Sequence, residues 1–169
     1  MKQELESILS FGAQAVSGEK TIFDQAALRH LDRLMEGNSG YKTIPANPAV
    51  LSQELREGTA QNGQSPLAVI VCCSDSRVPP EHIFHAGIGE LFVIRNAGNL
   101  ISDFALGSAE YAVEHLETPL VVVMGHTGCG AVGTALTPAQ EKGGLAAILA
   151  EIRDAIAGET DPHQAVRKN

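Results

Sequence analysis

Apolar positions along the chain change their period once, near residue 65, and the change separates a helical front from a middle that contains strands. Before it, Ile8, Phe11 and Ala15, then Phe23, Ala27, Leu28, Leu31 and Met35, recur mostly at three- and four-residue spacing, the period of one helix face. Gly37-Asn38-Ser39-Gly40 predicts a stop for the second of these helices. Asn47-Pro48 predicts the start of a third, running through Val50, Leu51 and Leu55 to about Gly63. Residues 1–62 thus read as a packed helical arm.

Beyond residue 65 short continuous apolar runs replace the helical spacing. Leu67-Ala68-Val69-Ile70-Val71-Cys72 contains no charged or amide side chain, as expected of a strand covered on both faces. Residues 91–94 and 120–124 read as two further strands. Pro79-Pro80-Glu81 suits a helix first turn, where proline's missing N–H is not needed. Ser102-Asp103 predicts a cap for a helix carrying Leu106, Ala109, Val113 and Leu116. Residues 128–136 predict a short helix, Leu145 to Leu149 with Ile152 and Ile156 a longer one, and Asp161-Pro162 the start of a last. Strands alternating with helices imply crossover connections and an α/β fold, with a central, mainly parallel sheet flanked by helices. The expected organisation is a single domain over 1–169: a helical N-terminal arm (1–62), a sheet and active-site core (63–136) and a helical C-terminus (137–169).

Composition narrows the classes. At 169 residues, 44% hydrophobic and 19% charged, the chain is long enough to bury a core and too apolar to be disordered. A net charge of −8, with scattered basic residues, excludes nucleic acid as the main partner. The opening Met1-Lys2-Gln3-Glu4-Leu5-Glu6 has no apolar secretory core. No apolar run approaches the roughly 20 residues that span a bilayer, so no membrane association is expected. Three cysteines, an odd number, argue against a disulfide framework and point to a reducing cytoplasm.

Two loops follow predicted strands and carry the chemistry, at the carboxyl ends where parallel sheets bind ligands. They are Cys73-Ser74-Asp75-Ser76-Arg77 and His126-Thr127-Gly128-Cys129-Gly130. Zn²⁺ favours thiolate and imidazole, and a catalytic site leaves one of four positions open; Cys73, His126 and Cys129 make three candidate ligands. Singly, each signal is weak, since a cysteine in an apolar strand is more often a core residue. Their coincidence at equivalent strand ends raises the metal reading. Cys72 points to the opposite face from Cys73 and reads as core. Asp75 and Arg77 read either as a surface ion pair or, beside a metal, as a pair in which Arg77 keeps Asp75 ionised to accept a hydrogen bond from metal-bound hydroxide. His30, His115 and His163 read as surface or satisfied positions, while His82 and His85 stay open as a proton-transfer route.

Four segments, in order, carry a resemblance. Residues Cys73-Ser74-Asp75-Ser76-Arg77-Val78-Pro79-Pro80-Glu81, Phe92-Val93-Ile94-Arg95-Asn96-Ala97-Gly98-Asn99, Glu110-Tyr111-Ala112-Val113 and Gly125-His126-Thr127-Gly128-Cys129-Gly130-Ala131-Val132 resemble the β-class carbonic anhydrases block by block. The similarity is close over 45–135 and looser in the helical arm. It implies one Zn²⁺ per chain on Cys73, His126 and Cys129, with Asp75 and Arg77 as the family's catalytic dyad. It also implies that Gln64 hydrogen-bonds CO₂ or bicarbonate, that the Gly130 amide donates to a bound anion, and that Phe92, Ala97 and Tyr111 line the substrate pocket. Alanine at 97 departs from the valine the family often has. The implied reaction is reversible hydration of CO₂ to bicarbonate and a proton by zinc-bound hydroxide. The implied assembly is a homodimer, pairing further into tetramers, whose N-terminal helices wrap the neighbour. The residues after Cys129 depart from the family pattern, because they read as helix and the family's final strand is expected to be missing. Two other readings fit the same motifs: a hydrolase of a CO₂-like molecule such as carbonyl sulfide or carbon disulfide, and a non-catalytic zinc- or anion-binding relative. Gln64, Asp75 and Arg77 weigh against the last.

Overall fold

The structure, a computed structural model, describes residues 25–43, 51–138 and 141–169. The helix expected around Ile8, Phe11 and Ala15 lies outside the described residues, as does the start expected at Asn47-Pro48. In chain order the elements are α1 (Gln25–Tyr41), α2 (Gln53–Asn62), β1 (Ala68–Cys73), α3 (Pro80–Ile83), β2 (Leu91–Asn96), α4 (Asp103–His115), β3 (Val121–Met124), α5 (Gly130–Ala135), α6 (Gly143–Ala155) and α7 (Pro162–Lys168). Among the described residues, helices alone follow β3, and no helix is long and apolar enough to cross a membrane.

The sheet order is β2-β1-β3, parallel throughout, with Ala68 opposite Leu91, Cys73 opposite Asn96 and Cys72 opposite Met124. The expected α/β architecture is therefore present. All six residues of β1 are buried, because helices cover both of its faces. Side chains alternate across a strand, so Ala68, Ile70 and Cys72 pack with Leu34, Phe84 and Ala86 on one face. Val69 and Val71 pack with Ala112, Phe92 and Ile94 on the other. Cys73 carries that second face onward into a third cluster with Cys129, Val132, Leu149, Ile152 and Ala165, where α5, α6 and α7 gather at the strand end. β3 is thinly covered: Val121 and Val123 are about half exposed.

Several boundaries differ from the sequence expectation, each for a local reason. β1 includes Cys73, so this residue ends the strand instead of opening the loop, and the Ser74 amide still donates to the Asn96 carbonyl at 2.9 Å. The helix expected from Asn47-Pro48 does not include Leu51, which is exposed; Ser52 caps it instead, its hydroxyl accepting from the Leu55 amide at 3.1 Å. The stop expected at Gly37-Asn38-Ser39-Gly40 does not occur, and α1 runs through it to Tyr41. Those residues serve a close approach to the segment after α3. Gly37 is pressed against the Phe84 carbonyl, a β-carbon on Gly40 would lie 2.8 Å from His85 Nδ1, and Asn38 Nδ2 donates to the Ile83 carbonyl at 3.3 Å.

This packing predicts opposite outcomes for two helix glycines. Gly37→Ala forces a methyl into the Phe84 backbone and should destabilise by about 1–3 kcal/mol. Gly58→Ala, where a β-carbon meets nothing within 4 Å, should stabilise by about 0.5–1 kcal/mol. Urea midpoints at unchanged slope measure both.

Candidate metal centre

Burial of β1 on both faces leaves its carboxyl end as the place where reactive groups emerge. Cys73 ends β1, and the loop after β3 brings His126 and Cys129 alongside. Cys73 Sγ and Cys129 Sγ are 3.9 Å apart, and one ligand atom from each of Cys73, His126 and Cys129 lies within 4.8 Å of the others. Tetrahedral zinc with bonds of about 2.3 Å to sulfur requires sulfurs roughly 3.8 Å apart. The donor set and spacing fit a zinc-sized divalent ion.

The imidazole adds an independent observation. His126 Nδ1 lies 3.2 Å from the Thr127 carbonyl, an arrangement that places the proton on Nδ1 and leaves the lone pair on Nε2. Nε2 is buried without a hydrogen-bond partner, and a buried polar atom left so is destabilising. A cation between it and the two sulfurs removes that deficit. Burial raises the Cys129 thiol pKa, and nearby Cys73 adds to the effect, while the Val132 and Ala131 amides oppose it. Burial thus disfavours ionisation of the Cys129 thiol, and a bound cation reverses that preference.

Loop geometry follows from a few contacts. Gly128 sits at φ +67° beside the Arg77 guanidinium, a conformation that glycine adopts without the strain a side chain brings. Cys129 occupies the N-cap position of α5. Arg77 Nη2 donates to the Gly128 carbonyl at 3.0 Å, which ties the two ligand loops together. Arg77 also grips Asp75 twice, Nε to Oδ1 at 3.0 Å and Nη2 to Oδ2 at 2.8 Å, and its amide donates to Oδ1 at 2.9 Å. These bonds hold the Asp75 carboxyl well below the usual carboxylate range. Since the folded value is the lower one, the stabilisation from this pair is complete above the ordinary pKa of about 3.9 and fades only as pH falls toward the folded value. Asp75 Oδ2 is 4.0 Å from His126 Nε2, so an ionised oxygen borders the space between the ligands.

The remaining candidate residues divide between two places. Gly130 opens α5 directly after Cys129, and Ala97 follows Asn96, which pairs with Cys73. Phe92 pairs with Val69, four positions before Cys73 and thus about 13 Å earlier along the sheet. Tyr111 is 51% exposed and packs on Phe92 with ring centres 6.3 Å apart. Gln64 is exposed in the link before β1. One chain therefore gathers Cys73, Asp75, Arg77, His126, Cys129 and Gly130 at the strand ends, and carries the Phe92/Tyr111 pair farther down the sheet.

Cys72 is fully buried on the face away from Cys73. His30 is satisfied by the Leu67 carbonyl at 2.9 Å. His115 and His163 are exposed, with His115 stacked near Tyr111 at 5.3 Å. His82 is exposed on α3 and His85 is buried against α1; neither joins the ligand group. Sequence reasoning assigned no role to Arg95. Its Nε donates to the Cys73 carbonyl at 3.0 Å and its Nη2 to the Asp75 carbonyl at 2.6 Å. The available signal was a lone arginine at the end of an apolar strand, aligned with the ligand strand.

Comparison with known proteins bears on this centre. A family model described as carbonic anhydrase matches residues 68–169. Carbonic anhydrase 2 of Mycobacterium tuberculosis is 50% identical over 105 residues, covering 61% of this chain and 49% of the relative. The carbonic anhydrase of Mycolicibacterium smegmatis is 42% identical over 109 residues, covering 64% and 52%. The chain thus spans about half the length of these curated relatives. Among solved structures, a tetrameric β-carbonic anhydrase of Sordaria macrospora superposes with a TM-score of 0.60 at 26% identity, over 85% of this chain and 75% of that one. The β-carbonic anhydrase CcaA gives 0.56 at 30% identity, over 82% and 73%. Sequence match, fold and the Cys-His-Cys corner agree: the chain belongs to the β-carbonic anhydrases.

Proposed function

We propose that the protein hydrates CO₂ reversibly to bicarbonate and a proton, using one zinc ion held by Cys73 Sγ, Cys129 Sγ and His126 Nε2. The observation that carries this reading is a buried, unpartnered imidazole nitrogen grouped with two sulfurs, beside a carboxylate that Arg77 keeps ionised. When bound, zinc acts as a Lewis acid that brings the pKa of a coordinated water toward neutrality. Two thiolates soften that acidity more than imidazoles do, which makes the surrounding hydrogen bonds matter more.

Asp75 accepts a hydrogen bond from the attacking oxygen's remaining proton and so aims a lone pair at carbon. Arg77 is committed to Asp75 and the Gly128 carbonyl, which holds the acceptor still. The Gly130 amide and the Gln64 side chain donate to the oxygen on which charge develops. Phe92, Ala97 and Tyr111 supply an apolar wall for CO₂. Since Phe92 and Tyr111 lie down the sheet from their own ligands, and Gln64 precedes the start of β1 while Cys73 ends it, a second copy supplies all three in a homodimer, and dimers pair further. Exposure of Tyr111 and of Phe104 at 89% supports such a surface. The three free cysteines support a reducing, cytoplasmic setting.

Two predictions test the centre. Zinc should bind at one per chain and be lost in Cys73→Ser and His126→Ala but kept in Cys72→Ala, by metal analysis of purified protein. Asp75→Asn should retain zinc while CO₂ hydration falls on the order of 100-fold, by stopped-flow pH-indicator assay. Stoichiometric zinc with no hydration from neutral to alkaline pH would overturn the reading, and turnover of carbonyl sulfide or carbon disulfide in the same sample would redirect it.

A further inference from the structure

We propose that Arg95 is a positioning residue that sets the Asp75 carboxylate and the Cys73 sulfur by tying together the carbonyls of those two residues. The role rests on the hydration reading above. It begins with a gap in the backbone pairing. The register between β1 and β3 ends at Cys72 opposite Met124, so the Cys73 carbonyl lies beyond that ladder. Two residues on, the Asp75 carbonyl accepts only a long bond from the Val78 amide at 3.2 Å besides the arginine.

Arg95 closes both gaps with one rigid group. It stands on β2 opposite Cys72, on the face away from the ligands, and its guanidinium reaches over the strand end to the two carbonyls at 3.0 and 2.6 Å. A planar fork fixes the separation of its two acceptors, which a lysine ammonium does not. Asp75 is consequently held at both ends by different arginines, its carbonyl by Arg95 and its carboxylate by Arg77. Arg77 sets the charge and direction of the acid, and Arg95 sets where its backbone stands relative to Cys73.

The test uses Arg95→Met and Arg95→Lys in the full chain. Hydrogen–deuterium exchange of residues 74–78 in metal-free protein should quicken in Arg95→Met by about tenfold, with the urea midpoint little changed. In zinc-loaded protein kcat should fall roughly 10- to 100-fold, with KM within about twofold and zinc stoichiometry retained. Arg95→Lys should recover part of both losses, and it carries the same readouts should Arg95→Met not fold. Parental loop exchange and parental kcat in either folded variant would overturn the proposal, as would a loss confined to the unfolding midpoint. Loop exchange needs neither metal nor turnover, whereas failure of the hydration reading appears in the parent protein itself.

Discussion

A strand buried on both faces can expose chemistry only at its ends, and β1 is such a strand. Its six residues are enclosed, so the backbone must satisfy its own polar groups through the neighbouring strands. Where the ladder with β3 runs out after Cys72, side chains and loops take over. Cys73 stands at that boundary, still packed in the core yet at the edge of the polar region. One position earlier, Cys72 faces the opposite cluster and has no access to the site.

The polar groups around this boundary compensate one another. Two thiols and an imidazole nitrogen are crowded into a pocket that none of them satisfies alone. Asp75, whose Oδ2 lies 4.0 Å from His126 Nε2, would repel ionised sulfurs, and Arg77 offsets its charge through two side-chain hydrogen bonds. The arrangement suits a divalent cation better than an empty pocket, because only a cation relieves both the crowded donors and the unpaired nitrogen. Preorganisation here resides in loops braced by arginines, with Gly128 giving the second loop room to bend.

Much of this was legible in the sequence, for reasons that differ by residue. Apolar runs mark strands, and a cysteine or histidine just past a run is placed at a strand end without any coordinates; the grouping of Cys73, His126 and Cys129 follows. Gly37 and Gly40 misled because glycine has two uses. The same letter that ends helices also permits close packing, and here the deciding partner, the Phe84 backbone, is 47 positions away in sequence from Gly37 (84 − 37). Ser52 caps α2 through a hydroxyl contact that pattern alone does not rank. Arg95 was missed because its partners are carbonyls, and main-chain acceptors have no sequence signature. The relation between Phe92 and the ligands needed the strand register, since neighbouring strands reveal their alignment only once paired.

The four-residue length of β3 has a consequence of its own. Among the described residues it pairs on one side only, so its other margin presents unpaired backbone groups beside two half-exposed valines. A long, flat margin of that kind recruits extended segments indiscriminately. Four residues give too little purchase for that, so on its own this margin is a weak template for another strand.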